Sequence, residues 1–201
     1  MLALVDYGIG NLRSVEKAFN AVGAEVCVTS DPEVVRGADK VVLPGVGAFG
    51  DGMAGLEKRD LVQPIKDLVE RGTPLLGICL GMQLLFEESE EHGKFGGLGF
   101  LSGKVRRFDV PGLIVPHTGW NQIRIARSSP LLDGLPPDAY AYFNHGYYCQ
   151  ARPEDILATT EYGIHYSSVV GHGSIYGAQF HPEKSQHIGL MILRNFVERC
   201  P

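Results

Sequence analysis

The segment Pro74-Leu75-Leu76-Gly77-Ile78-Cys79-Leu80-Gly81-Met82-Gln83 constrains this chain more than any other. An apolar, strand-like run passes directly into an apolar, helix-like one, with a cysteine at the junction. Glycine stands two residues before and two residues after that cysteine, which is the spacing of a nucleophile elbow. The turn is too tight for side chains on either flank, so glycine is needed at both places. Its geometry lifts the sulfur to the C-terminal edge of a sheet, where open α/β sheets bind ligands. It also sets the thiol at a helix N-terminus, whose partial positive charge favours the reactive thiolate. A free cysteine in an apolar run is otherwise a buried packing residue, and that plainer reading is kept for Cys27, Cys149 and Cys200.

The flanking sequence supplies the sheet. In the first half, short apolar runs alternate with helix-period stretches, the pattern of an α/β fold with parallel strands. Residues 2–5, 25–29, 40–43 and 74–78 read as strands. Asn11 is placed to cap a helix that carries Leu12, Val15, Phe19 and Val22 on one face and closes at Gly23; residues 61–71 read as a second helix. The second half is strand-rich at 104–108, 122–125, 140–143, 156–160, 167–170 and 174–180, before a closing helix over 183–199. No repeat, linker or low-complexity tract interrupts residues 1–201, and the length suits one domain.

Composition narrows the function classes. A net charge of −5 without a basic block argues against a broad nucleic-acid or anionic-membrane surface. The four cysteines stand far apart, with no C-x-x-C and no ligand spacing, so neither a disulfide framework nor a zinc site is expected. The start lacks a basic region and a signal-length apolar run, and no stretch approaches the roughly 20 apolar residues of a membrane span. The expectation is a cytoplasmic protein. Glycine is over-represented, at 26 of 201 residues, and so must serve particular backbone positions.

A thiol nucleophile needs a base and a group to orient that base. His181 ends the strand-like run Gly177-Ala178-Gln179-Phe180, and Glu183 follows across Pro182, which stiffens the turn. Glu183 can then hold the far nitrogen of the imidazole. Taken alone, His-Pro-Glu could merely begin the last helix; beside an elbow cysteine the triad reading prevails. His92, His165, His172 and His187 sit in polar or glycine-rich contexts and read as surface residues. An oxyanion site is the remaining requirement. The run Pro44-Gly45-Val46-Gly47-Ala48-Phe49-Gly50-Asp51-Gly52 follows the strand at 40–43 and reads as a loop on the same sheet edge, where glycines let main-chain N–H groups approach a ligand. A phosphate cradle competes for this loop, but no G-x-x-x-x-G-K-[ST] occurs.

Together the three blocks, P-G-x-G at 44–47, G-x-C-x-G-x-Q at 77–83 and H-P-E at 181–183, resemble the triad (class I) glutamine amidotransferases. Within that family Gly81-Met82-Gln83-Leu84-Leu85-Phe86-Glu87, Pro116-His117-Thr118-Gly119-Trp120-Asn121 and Gln179-Phe180-His181-Pro182-Glu183-Lys184-Ser185 are similar to the glutaminase subunits that serve imidazole glycerol phosphate synthesis in histidine biosynthesis. The likeness runs from Asp6-Tyr7-Gly8-Ile9-Gly10-Asn11 to the last helix; Thr118 departs from it, standing where a bulkier apolar residue is usual.

The resemblance implies a three-layer, flavodoxin-like open sheet with parallel core strands and extra antiparallel strands in the second half. It implies hydrolysis of glutamine through a Cys79 thioester, with His181 as base and then acid, Glu183 orienting it, and the oxyanion held by the Leu80 N–H and a backbone N–H near Val46. Gly47, Gln83 and the segment Asn144-His145-Gly146-Tyr147 would contact glutamine, with no cofactor and no metal. The ammonia would pass to a (β/α)8-barrel cyclase subunit, with Asn11, Trp120 and Lys184 as interface candidates. The same triad would serve amidotransferases of pyridoxal phosphate, anthranilate, purine or folate synthesis; an idle binding subunit and a γ-glutamyl hydrolase are further alternatives. Trp120 could equally be core, Lys184 a solvated residue of the last helix's first turn, and Glu87-Glu88-Ser89-Glu90-Glu91 reads as a solvated helix end. The glycine pair at 45 and 47 permits a peptide flip there, so weak activity alone and strong activity with the liganded cyclase are expected.

Overall fold

A computed structural model describes residues 1–201. The first half is β1 (Leu2–Val5), α1 (Leu12–Ala21), β2 (Val26–Thr29), α2 (Pro32–Arg36), β3 (Lys40–Leu43), α3 (Phe49–Lys58), α4 (Val62–Glu70), β4 (Leu75–Ile78) and α5 (Leu80–Leu84). After it come β5 (Phe86–Ser89), β6 (Phe95–Gly96), β7 (Leu101–Arg107), β8 (His117–Gln122), β9 (Arg124–Ile125) and β10 (Tyr140–His145). The chain ends with β11 (Tyr147–Ala151), β12 (Ile156–Glu161), β13 (His165–His172), β14 (Ile175–Ala178) and α6 (Gln186–Glu198).

Eight strands form the main sheet in the order β2-β1-β3-β4-β14-β13-β12-β9. It is parallel from β2 to β14 and antiparallel beyond. The central strands read as continuous apolar runs because both their faces are covered. Phe19 of α1 and Ile192, Leu193 and Phe196 of α6 cover one face, and Leu56 of α3, Ile65 and Leu68 of α4 and Leu80 and Met82 of α5 cover the other. Two small sheets, β10-β8 and β11-β7-β5-β6, complete the fold, and the junction of β10 and β11 comes beside Cys79 at the end of β4. Asn11 caps α1 as expected, its side chain accepting the Ser14 N–H. No helix is long and apolar enough to cross a membrane.

Four expectations are corrected. The acidic run is not a helix end: β5 occupies Phe86–Ser89, Glu88 pairs with Lys104 at 2.7 Å, and Glu87 accepts the Gly103 N–H at 2.9 Å. Cross-strand partners, unseen in the linear sequence, make strand the better use of these residues. The glycine-rich loop is shorter than it reads, because α3 begins at Phe49 and takes in Gly50 and Gly52. Those two serve packing: a Cβ on Gly50 would come within 2.9 Å of the Phe95 ring, and one on Gly52 within 3.1 Å of Leu84. The last helix starts at Gln186, after a single 3-10 turn over Pro182–Lys184. The Ser185 hydroxyl bonds back to the His181 carbonyl at 2.7 Å and accepts the Tyr142 N–H at 3.0 Å, which kinks the chain there. Finally, the strand expected at 122–125 is divided at Ile123: β8 ends at Gln122, and β9 takes only Arg124–Ile125.

Candidate active site

The elbow is built by steric exclusion. Cys79 has φ 54° and ψ −108°, a conformation L-residues rarely adopt. Its N–H is held by the Ala178 carbonyl at 2.8 Å. A Cβ on Gly81 would overlap the Leu43 carbonyl oxygen, and one on Gly77 would sit 2.6 Å from the Met82 nitrogen, so neither position admits a side chain without backbone movement. The sulfur thus stands at the end of β4 and at the start of α5.

His181 reaches the sulfur because β14 lies beside β4, with Ala178 opposite Ile78. Three residues beyond that pairing the chain is fixed by the His181 N–H to the Tyr142 carbonyl at 2.9 Å. The ring Nδ1 bonds Glu183 Oε1 at 2.9 Å, and the side chains of both are nearly inaccessible. Burial works against a charge on His181, but the nearby Cys79 sulfur and the Glu183 carboxylate bonded to the ring carry it up to about 10. The histidine so partnered is charged at neutral pH.

Beside the sulfur lies a cavity of about 190 Å³ whose walls include Val46, Gly47, Leu80, Gln83 and the 144–147 segment, so the expected oxyanion and glutamine contacts converge on one space. Two further groups there went unassigned in the sequence. Glu91 is the only carboxylate in the lining, buried because its Oε2 accepts the Phe49 N–H at 2.7 Å and so caps α3, which has no cap of its own at Ala48. Gln179 is fully buried and directs its Nε2 at the Cys79 sulfur, 3.9 Å away. Its position one step before Phe180-His181 was visible, but only the strand alternation of β14 and its neighbours turns it to the sulfur.

The Leu80 N–H is already taken by the Gly45 carbonyl at 3.3 Å. Gly45 has no room for a Cβ, which would overlap the Tyr7 hydroxyl, and Tyr7 itself donates to the Pro44 carbonyl. Gly47, at φ +105°, would bring a Cβ into only ordinary contact with Ile9, 3.8 Å away, so its backbone conformation and not crowding calls for glycine.

Residues 3–200 match the family model for glutamine amidotransferase class-I. The chain belongs to the class-I glutamine amidotransferases. This amidotransferase is 50% identical to imidazole glycerol phosphate synthase subunit HisH of Moorella thermoacetica over 198 residues, covering 98% of this chain and 94% of the relative. It is 50% identical to the subunit of the same name from Salinibacter ruber, over 98% of this chain and 94% of that one. A solved structure described as a glutamine amidotransferase superposes with a TM-score of 0.77 at 21% identity, covering 98% and 97% of the two chains, which establishes the fold. The amidotransferase carries its three interface candidates outside the cavity. Trp120 is 48% exposed, which removes the core reading, and packs edge-on against Tyr142 with centroids 6.2 Å apart. Lys184 Nζ lies 5.7 Å from the same Tyr142 ring. Asn11 is exposed at the start of α1, the helix that packs against the Pro182–Lys184 turn. His92, His165, His172 and His187 are exposed, and Cys149 and Cys200 are buried, as read from the sequence; Cys27 is only half-buried.

Proposed function

We propose that this amidotransferase is the glutaminase subunit of an imidazole glycerol phosphate synthase: it hydrolyses glutamine to glutamate and ammonia and passes the ammonia to a (β/α)8-barrel cyclase. The observation that carries the chemistry is Cys79 in the cavity wall with the buried His181–Glu183 pair on the neighbouring strand's exit. Near-full-length likeness to relatives of that name supports the acceptor.

His181, charged at neutral pH, starts the cycle already holding the proton of the thiol, and the Cys79 sulfur attacks the side-chain amide carbon of glutamine. The carbonyl electron pair moves to oxygen, then returns as the C–N bond breaks, with His181 giving its proton to the departing nitrogen. Ammonia and a thioester result. His181 next takes a proton from water, whose oxygen displaces the sulfur and yields glutamate. Glu183 holds the Nδ1–H throughout, which keeps the other ring nitrogen turned to the sulfur. Glu91, the one carboxylate in the lining, faces the α-ammonium of glutamine; backbone groups of 144–147 take the α-carboxylate.

Rotation of the Gly45–Val46 peptide supplies the oxyanion site in one movement. It withdraws the Gly45 carbonyl from the Leu80 N–H and aims the Val46 N–H into the space that the carbonyl occupied. This ties activity to a trigger. The exposed aromatics Trp120 and Tyr140 on the β8–β10 pair, with Lys184 and Asn11 nearby, offer the partner's docking face.

The test is glutamate release by the chain alone, with the barrel cyclase, and with the cyclase bound to its ribulosyl formimino-carboxamide ribotide. Gaining one or two oxyanion donors should raise turnover on the order of 10²-fold or more. Full activity in the isolated chain would remove the flip. A complex that forms and yet leaves glutamine intact would overturn the chemistry, and a chain that ignores this cyclase but serves another synthase would overturn the acceptor.

A further inference from the structure

Next to the active-site pair lies a second set of buried polar side chains that the hydrolysis does not use. His117 of β8, His145 of β10 and Tyr166 of β13 meet inside an aromatic shell of Phe108, Phe143, Tyr148 and Tyr162. Their hydrogen bonds form a series whose two ends fix its direction. At one end, Asn121 Oδ1 accepts the Gln122 N–H at 2.8 Å and Nδ2 donates to the Glu161 carbonyl at 2.8 Å, so the amide cannot be reversed. Asn121 Nδ2 is therefore the donor to His117 Nε2 at 3.3 Å. At the other end, His145 Nδ1 faces the Tyr147 carbonyl at 2.7 Å, and a carbonyl only accepts.

The middle follows by elimination. With Nε2 accepting, His117 carries its proton on Nδ1 and donates to the Tyr166 oxygen at 3.2 Å. The Tyr166 O–H is then free to donate to His145 Nε2 at 3.3 Å, which agrees with a proton on His145 Nδ1. No carboxylate touches either ring. The titratable groups that face them are each other, Tyr148, Tyr162 and Tyr166, and for His145 also the charged His181. Burial holds His117 down to about 4 and His145 to about 3, consistent with two neutral rings.

The series ends on an atom of the glutamine pocket. The Tyr147 carbonyl that takes the His145 proton also accepts Gln83 Nε2 at 3.1 Å, and the other Gln83 N–H goes to Gln179 Oε1 at 3.2 Å. Both Gln83 donors are thereby used, which leaves its Oε1 as the group free to face a substrate N–H. Gln179, with its oxygen so engaged, presents its NH₂ to the Cys79 sulfur.

We propose that His117, Tyr166 and His145 are positioning residues: a one-way hydrogen-bond chain, with both imidazoles neutral and protonated on Nδ1, fixes the Tyr147 carbonyl and through it the orientation of the Gln83 and Gln179 amides. The link to glutamine binding rests on the glutaminase reading above; the protonation pattern does not.

Two measurements on the full chain test it. Long-range ¹H–¹⁵N spectra at pH 7 should show His117 and His145 both as Nδ1–H rings, the minority form in water; either ring found protonated on Nε2, or charged, overturns the chain. Tyr166→Phe keeps the ring and removes the linking hydroxyl. For alkylation of Cys79 by a glutamine-like diazo-ketone, it should raise the half-saturating concentration about three- to tenfold and leave the maximal rate within about twofold, since one neutral hydrogen bond and a uniform binding contact are lost. Tyr148→Phe, which removes a hydroxyl from the same aromatic shell but from outside the chain, should change neither. An unchanged half-saturating concentration in Tyr166→Phe overturns the positioning role. A wild-type Cys79 that the analogue never modifies instead counts against the glutaminase reading, and leaves the spectra to decide the chain.

Discussion

Two buried histidine sites stand side by side at the end of the parallel sheet, and they are driven in opposite directions. His181 is as inaccessible as His145, yet one is lifted to about 10 and the other held to about 3. Burial pushes both down; only His181 has a carboxylate bonded to its ring, Glu183, with the Cys79 sulfur nearby, to reverse the push. His145 and His117 are surrounded by hydroxyls, carbonyls and aromatic rings. The lesson is that partner charge, not depth, decides whether a buried imidazole is a proton carrier or a fixed hydrogen-bond spacer.

The sharpest way to break the contrast is to remove one member of the charged site. Cys79→Ala or His181→Ala should each lower glutamine turnover in the cyclase complex on the order of 10⁴-fold or more, and the double variant little further, because the two act as one unit. Glu183→Gln comes next. It keeps the shape but loses the charge that lifts His181, and should cost about 10²–10⁴-fold in kcat with a smaller change in KM. A decrease confined to KM would contradict the orienting role.

The elbow is tested through stability. Gly81→Ala forces a Cβ onto the Leu43 carbonyl and should destabilise the fold by about 1–3 kcal/mol, read as a drop in the urea midpoint. Below that comes the acid response of the neutral site. His145 is protonated near 6.5 when unfolded and only near 3 when folded. The unfolded state then binds more protons between these values, so stability falls as the pH drops below 6.5, with a limiting slope of about 1.4 kcal/mol per pH unit from this one group. His145→Leu should flatten that slope. His181 has the opposite sign: its raised value contributes stability fully present below about 6.5, and that contribution is lost as the pH rises toward 10. The smallest effect belongs to the exposed pair Glu88–Lys104. Glu88→Gln should barely move the urea midpoint, and less in high salt.

The charged site was legible in the sequence because its requirements are local. Gly77 and Gly81 flank Cys79, and Glu183 lies two residues from His181, so spacing alone proposes the triad and the strand edge that presents it. The parallel strands β1 to β4 were legible for a similar reason, each carrying a run of at least three consecutive apolar residues or, in β4, an apolar run broken only by Gly77. The neutral site was not legible. Asn121, His117, Tyr166 and His145 come from three strands joined only by tertiary pairing, and nothing in the linear order sets their protons in one direction. Glu91 failed in the same way: its acidic neighbours hid a carboxylate that caps a helix more than forty residues back in the chain. Gly50 and Gly52 misled in the reverse sense, since glycines that read as a flexible loop serve close helix packing.

One titration tests the contrast between the two sites directly: histidine ¹H–¹⁵N spectra of the full chain from pH 5 to pH 9, with His181, His145 and His117 resolved. His181 should remain an imidazolium through the whole range, still largely protonated at pH 9, while His145 and His117 stay neutral throughout. A His181 that titrates near 6.5, or a His145 that takes up a proton above pH 5, would contradict the claim that charged partners, rather than burial, separate these two sites.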